Sequence, residues 1–280
     1  PLLPRVAAAK QELLLPWSGV VCILYSALTG ILILTALASS KIGPRWDPPD
    51  PEELGHAGTA MMLVFSSVIA EACFLACSTA NTWFLGTGLA DQLQLYGIGD
   101  SMLTLMEYGC KIACALHLWW ANGGVIHTDV QAFGGPRPVY FDRFAQWSIA
   151  VPILVLIVNR AFLNETCSTS KMMVRSSPSL IASFVYVWAA WVMEVTVNPV
   201  ARWLLLFASL SGFVCVAIDQ LKLAYDHKGD ALFELKLSLV IYQLFANSGY
   251  AVIFLSGRFN LMPSLTEQKI YAYSDATVKV

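Results

Sequence analysis

The ten residues YAYSDATVKV, positions 271–280, place a carboxylate and an amine in an otherwise apolar and aromatic stretch. Asp275 and Lys279 stand four positions apart, a spacing that puts both side chains on one face of an α-helix. An ionisable group at membrane depth costs about 3 kcal/mol or more, so each one there is a candidate functional residue. The rest of the chain decides whether this helix lies in a membrane.

The composition predicts a polytopic membrane protein surrounded by lipid. Of 280 residues, 57% are hydrophobic and 13% are charged, and the mean hydropathy is +0.61. Soluble domains carry about 25% charged residues. The net charge of −2 offers no basic field to a nucleic acid, and no Gly-rich phosphate motif marks a nucleotide site. We therefore expect no nucleic-acid partner and no enzyme active site in this segment.

The cysteine pattern excludes a disulfide framework and a structural metal site. Seven cysteines are present, mostly within apolar runs, and none forms a Cys-x-x-Cys pair. Free cysteines in such runs behave as small hydrophobic side chains.

Apolar runs long enough to cross a membrane, about 20 residues each, occur seven times. They cover residues 17–40, 56–80, 95–121, 140–163, 179–197, 203–222 and 235–257. An eighth run begins near residue 267 and has 14 residues left, too few to cross at about 1.5 Å per residue. The pattern predicts eight membrane helices, with the chain cut within the last one.

The chain divides into two predicted parts. Residues 1–55 hold an N-terminal tail, an extra transmembrane helix and an acidic, Pro-rich connector, DPPDPEELG at 47–55. Residues 56–280 form the main bundle, interrupted by a Gly-rich loop at 122–138. The predicted orientation puts the N-terminus in the cytoplasm on a small lysine and arginine bias between the loops. In that orientation the glycosylation sequon at Asn164 is cytoplasmic.

Several charges within the apolar runs have simple structural interpretations. Glu107 and Lys111 stand at i and i+4 in the favourable order for a helix-surface pair. Asp219 lies at the cytoplasmic end of its run, where we expect it to be solvated. Glu194 also lies near a helix end, and the sequence assigns it no role.

Asp275 and Lys279 allow two interpretations. The first is a salt bridge with no further function. The second is chemical: an apolar surrounding favours a neutral lysine amine, which attacks an aldehyde to form a Schiff base. The charge of a protonated Schiff base needs a nearby carboxylate, and Asp275 is one helical turn away.

Three stretches, in order, resemble the microbial (type 1) rhodopsins. AFGGPRPVYFDRFAQWSIAVP, residues 132–152, resembles the family's FGG loop and its third-helix pattern of Arg143, Phe144, Trp147 and Pro152. YAVIFLSG, residues 250–257, resembles the sixth-helix stretch along the retinal ring. The Asp-x-x-x-Lys of the seventh helix follows. This resemblance covers roughly residues 56–280.

The resemblance implies an all-α membrane fold, a seven-helix rhodopsin bundle plus one extra N-terminal helix. It also implies all-trans retinal bound as a Schiff base to Lys279, with Asp275 as a counterion and Arg143 nearby. The implied lining consists of Trp147, Tyr250 and Phe254, although aromatic residues at helical spacing are commonly core residues.

Departures from the family pattern bear on function. Gln146 occupies the position of the carboxylate that accepts a proton in proton pumps, and Ile157 occupies the donor position. Asn247 and Ala251 replace an aromatic residue and a proline on the sixth helix. Asp142 precedes Gln146 by one turn and is either a second counterion or a partner of solvent or Arg143.

The extra helix resembles that of the eight-helix rhodopsins, enzymerhodopsins and bestrhodopsins, in which the rhodopsin is fused to an effector. We therefore predict a light sensor or regulatory module that forms homo-oligomers and is coupled to a bestrophin-like channel, a cyclase or a phosphodiesterase. Two alternatives remain open. One is a light-gated ion channel or light-driven ion pump, and the other is a multispan protein whose lysine never meets retinal.

Overall fold

The computed structural model describes residues 16–39, 45–46, 51–85, 126–132, 135–163, 169–229 and 232–278. Its helices are α1 (Trp17–Ser39), α2 (Pro51–Leu85), α3 (Phe141–Leu163), α4 (Thr169–Val195), α5 (Pro199–Asp226), α6 (Phe233–Arg258) and α7 (Ser264–Val278). Its strands are β1 (Arg45–Trp46), β2 (Ile126–Ala132) and β3 (Gly135–Tyr140).

Within the described residues, five helices are long and apolar enough to cross a membrane: α1, α3, α4, α5 and α6. Large apolar side chains on their outer faces are exposed, as at Leu28 and Phe245, which are 69% and 79% exposed. In lipid such side chains need no protein partner. The chain is an integral, multi-pass membrane protein, as its composition predicts. The predicted span at 95–121 lies outside the described residues.

Two predicted boundaries on the N-terminal side of helices are wrong. The connector at 47–55 does not extend over its whole length, because α2 begins at Pro51. Proline suits the first helical position, where its missing N–H costs no hydrogen bond. Helix α4 begins at Thr169, ten residues before the predicted start at 179, and contains Pro178.

A side-chain cap fixes the start of α5. The Asn198 side chain accepts hydrogen bonds from the backbone N–H groups of Val200 (2.9 Å) and Ala201 (3.2 Å). Pro199 follows at the first helical position. Only residues 196–198 separate α4 from α5, so these two helices pack as antiparallel neighbours.

The Gly-rich stretch predicted as a loop at 122–138 contains most of a β-hairpin. Strands β2 and β3 pair antiparallel, with His127 opposite Tyr140 and Ala132 opposite Gly135, and β1 adds to the free edge of β2. Strand β3 runs directly into α3. The hairpin therefore fixes the chain just before the helix that carries Arg143 and Trp147.

Helix α4 packs against α1, α3 and α5, while α7 packs against α2 and α6. One apolar cluster fills the space between α3, α4, α5 and α6, around Phe162, Met172 and Leu223. A second joins α1, α4 and α5 around Ala36, Val192 and Leu205. A cavity remains between α3, α4, α5 and α6.

Candidate functional site

The cavity lies between α3, α4, α5 and α6 and is open at its mouth. Ligand sites in proteins are typically concave and lined mostly by apolar and aromatic side chains. Most of its lining is apolar or aromatic. The lining residues are Phe144, Trp147, Val151, Leu154, Tyr186, Val187, Ala190, Ser209, Leu210, Phe213, Asn247, Tyr250, Ala251 and Phe254.

Helical spacing brings the α3 and α6 residues to the cavity. Along α3, lining residues recur every three or four positions from Phe144 to Leu154, which places them on one helix face. Along α6 the same spacing joins Asn247, Tyr250 and Phe254. The Trp147 and Tyr250 rings meet edge to face across the cavity, with centroids 5.3 Å apart.

A buried carboxylate lies beside these two rings. Asp275 of α7 has no exposed surface, and its Oδ1 accepts hydrogen bonds from Trp147 Nε1 (3.0 Å) and Tyr250 Oη (2.9 Å). Tyr271, one turn earlier on α7, stacks on Tyr250 with ring centroids 6.2 Å apart. The carboxylate therefore joins α3, α6 and α7 in a fixed position, where it can stabilise a positive charge.

Arg143 lies one turn before Trp147 on α3 and is 8% exposed. Its Nη1 donates to Gln268 Oε1 (2.5 Å), and its guanidinium lies 4.6 Å from the ring centroid of Tyr271. Gln146 is 5% exposed on the same helix. An amide at this position cannot ionise, so it cannot accept a proton as a carboxylate does.

A second polar cluster joins α4, α6 and α7 next to Arg143. Arg258 Nη1 forms an ion pair with Glu194 Oε2, and Arg258 Nη2 lies 3.4 Å from Glu267 Oε1. A Cβ atom at Gly257 would lie 2.5 Å from Glu267 Cδ, so glycine makes room for this carboxylate. The expectation that Glu194 has no role is wrong, because Glu194 has a structural role as the ion-pair partner of the buried Arg258.

The expectation that Asp219 is solvated is also wrong. Asp219 has no exposed surface, and its Oδ1 accepts from Ser18 Oγ of α1 (2.6 Å). Its Oδ2 accepts from Ser179 Oγ and from Arg175 Nη1 (3.1 Å), both on α4. A charge near the end of an apolar run is buried here because two neighbouring helices supply donors.

In the structure the predicted site residues fall into three groups by location. Phe144, Trp147, Asn247, Tyr250 and Phe254 line the cavity, and Asp275, Arg143 and Gln146 are buried on the adjoining helix faces. Pro152 lies within α3 and is not among the lining residues. Lys279 and the side chain of Asp142 lie outside the described part of the chain.

Sequence reasoning missed the cavity walls supplied by α4 and α5. They are Tyr186, Val187, Ala190, Ser209, Leu210 and Phe213. These residues carry no motif among the stretches that resemble the family. Apolar periodicity identifies α4 and α5 as helices and does not distinguish a cavity-lining face from a packed one.

No family model and no curated protein sequence matches the chain. Solved structures do. The light-driven proton pump rhodopsin of Coccomyxa subellipsoidea is similar with a TM-score of 0.60 and 17% identity, over 85% of this chain and 95% of that chain. Thermophilic rhodopsin from Rubrobacter xylanophilus is similar with a TM-score of 0.63 and 15% identity, over 81% and 91% of the two chains.

A third similar structure is the transmembrane domain of the Salpingoeca rosetta rhodopsin phosphodiesterase. Its TM-score is 0.60 at 11% identity, and the match covers 94% of this chain and 93% of that chain. At such identities the likeness concerns the fold. The fold predicted from the stretches at 132–152, 250–257 and 275–279 is thereby confirmed: the chain has the microbial rhodopsin fold.

Proposed function

We propose that the chain binds all-trans retinal covalently at Lys279 and works as a light sensor or regulatory module in the membrane. The observation that carries the proposal is the cavity between α3, α4, α5 and α6, with the buried Asp275 carboxylate at its side. Its aromatic, largely apolar lining suits an elongated apolar chromophore. Lys279 follows Asp275 by four positions in the sequence.

Retinal, when bound, supplies absorption of visible light and isomerisation of its polyene. The chain's own residues form the cavity and hold the Asp275 carboxylate beside it. Trp147 and Tyr250 each donate a hydrogen bond to Asp275. Because both donors also line the cavity, the position of the carboxylate depends on what the cavity holds. Hydrogen bonds to a charged acceptor contribute about 1.5–3 kcal/mol each, enough to hold this orientation.

A sensor is favoured over a proton pump by two side chains on α3. An outward pump needs a group that accepts a proton on one side of the cavity and a group that restores it from the other. Gln146 and Ile157 occupy these two positions by resemblance, and neither ionises. A sensor needs no proton relay, since it requires only that light shifts the balance between two packings of the bundle.

The proposal includes α1 as an extra helix before the seven rhodopsin helices. The match to the rhodopsin phosphodiesterase domain covers 94% of the chain. Because that structure is the transmembrane domain of a rhodopsin phosphodiesterase, the likeness supports an effector coupled to this chain as well. The proposed effector is a bestrophin-like channel or a cyclic-nucleotide enzyme. A cytoplasmic N-terminus and a homo-oligomer are also part of the proposal.

The test is the absorption of the purified protein after expression with all-trans retinal. We expect a visible band in the unaltered chain and none in Lys279→Ala. Lys269→Ala is the matched control on α7, because Lys269 lies near the surface in an ion pair with Glu52. A visible band that survives in Lys279→Ala, or an unaltered chain that stays colourless with added retinal, contradicts the proposal.

A light-driven pump or light-gated channel is the alternative function. Two of the similar structures are light-driven proton pumps, from Coccomyxa subellipsoidea and Leptosphaeria maculans. Illuminated vesicles that contain the protein separate the two functions. We expect no sustained pH change that a protonophore abolishes. A steady change of that kind would replace the sensor assignment with transport.

A further inference from the structure

Helix α1 contacts the back of the cavity wall along its small, buried residues. Its buried positions are Ser18, Gly19, Cys22, Ser26, Thr29 and Ala36. They face α4 and α5, the only described helices against which α1 packs closely. Ser18 meets Asp219, and Cys22 Sγ lies 3.7 Å from the backbone oxygen of Cys215. Helix α1 thus runs antiparallel to α5, and its middle lies next to Gly212.

Tyr25 is a large residue on this face of α1, and it fills the space next to Gly212. A Cβ atom built on Gly212 would overlap the Tyr25 Oη and Cζ atoms and would lie 2.6 Å from Tyr186 Cβ. Tyr25 and Tyr186 also pack against the same apolar cluster, formed by Cys22, Val155, Ala182 and Val216. Only glycine at 212 allows the three helices to approach this closely.

The same residues form the cavity wall on their other side. Tyr186 of α4 and Phe213 of α5, next to Gly212, both line the cavity. Ser209 Oγ donates to the backbone oxygen of Tyr186 (3.0 Å), which ties α5 to α4 at the wall. A single layer of side chains therefore separates α1 from the cavity.

We propose that Tyr25 is a positioning residue for the chromophore cavity, acting through Gly212 and Tyr186, and that α1 thereby senses and sets the shape of the wall. This inference rests on the proposed retinal binding. Protein interiors are packed as densely as organic crystals, so a displacement on one side of such a layer moves the other side. The Asp219 contacts hold the start of α1 on α4 and α5, so that the displacement acts on an anchored helix.

Two matched pairs of variants test the role of Tyr25. Gly212→Ala forces Tyr25 and Tyr186 apart, whereas Gly30→Ala adds the same methyl group on α1 where nothing lies within 4 Å. Tyr25→Leu removes the contact without an overlap, and Leu28→Ala alters the same helix at a position that is 69% exposed. If Gly212→Ala does not fold, the second pair of variants still tests the proposal.

The readouts are the visible absorption maximum and the rate of dark recovery after a flash, with hydrogen exchange of α1 amides in the retinal-free protein. We expect Gly212→Ala and Tyr25→Leu to shift the maximum and to change the recovery rate by about 2- to 30-fold, the range for substitutions along a coupled network. Both should also speed exchange in α1. A purely structural contact would alter exchange and leave the spectrum unchanged.

The outcomes separate the two proposals. If Gly212→Ala and Tyr25→Leu match their controls in absorption and recovery, the positioning role is wrong and retinal binding stands. If the unaltered chain takes up no retinal, the proposed function and the positioning role are both wrong. In that second case hydrogen exchange reports only the packing of α1.

Discussion

Replacing Arg258 with methionine is expected to destabilise the bundle by about 3–5 kcal/mol, the cost of removing one partner of a buried ion pair. Arg258 is 3% exposed, and the carboxylates it meets, Glu194 and Glu267, are 3% and 2% exposed. Methionine retains an unbranched apolar stem of similar reach, so lost packing contributes little. The cost arises because two carboxylates remain buried without their cation.

Equilibrium unfolding of the detergent-solubilised protein in rising fractions of dodecyl sulfate, followed by helical circular dichroism, measures this difference. Lys222→Met is the control, because Lys222 forms a partly exposed i,i+4 pair with Asp226 on α5. Such a pair contributes only about 0.3–0.5 kcal/mol. Adding Glu194→Leu and Glu267→Leu to Arg258→Met should recover much of the loss. A cost for Arg258→Met no larger than that of Lys222→Met would refute the reasoning.

Three further results are expected. With retinal bound, Asp275→Asn should remove or strongly shift the visible band at neutral pH. Asp142→Asn should have a smaller effect of the same kind if the two carboxylates share the counterion role. An unchanged Asp142→Asn spectrum would leave Asp275 as the counterion without Asp142. Tyr250→Phe, which removes the hydrogen bond from Tyr250 to Asp275, should shift the band. Tyr242→Phe, which alters an α6 side chain that is 53% exposed, should not. Asn164, expressed in glycosylating cells, should stay unmodified; a glycosidase-sensitive gain in mass would reverse the predicted orientation.

The sequence was sufficient to locate the five described helices that can cross the membrane, although not the start of α4, and to identify the helix faces that carry the family motifs. Helices α3 and α6 begin and end within two residues of the predicted runs at 140–163 and 235–257. Long apolar runs leave few other structures possible, because each backbone polar group in lipid must bond within its own segment. The motif residues then fix which face of α3 and α6 meets the cavity.

The burial of charged side chains could not be predicted from their positions along the apolar runs. Asp219 and Glu194 both lie near the ends of their predicted apolar runs, 203–222 and 179–197, where the sequence predicts solvation or no role. Asp219 is buried because α1 and α4 supply Ser18 and Arg175, and Glu194 because α6 ends at Arg258. These partners are 201, 44 and 64 positions away. A pattern read along one helix contains no information about them.

The hairpin of β2 and β3 was missed for a similar reason. Glycine and proline in 122–138 indicate turns, and they are depleted in strands. The pairing that makes this stretch a hairpin depends on alignment of two short segments, with Asp129 opposite Pro138 and Val130 opposite Arg137. A two-stranded pairing of this length gains stability from what it packs against, here α3 and α4.

The buried carboxylates share one arrangement that favours a switch between discrete packings. Asp219 joins α5 to α1 and α4, Glu194 joins α4 to α6, and Asp275 joins α7 to α3 and α6. In lipid, helices gain little from apolar association, so packing and interhelical hydrogen bonds fix their relative positions. A helix that moves by a fraction of a turn must break such a bond and leave a buried charge without its donor. Intermediate positions are therefore costly, and only an alternative set of partners provides a second stable state. The proposed sensor function would use this property: isomerisation of a bound retinal would move Trp147 or Tyr250, both bonded to Asp275, and the bundle would then exchange one packing for another.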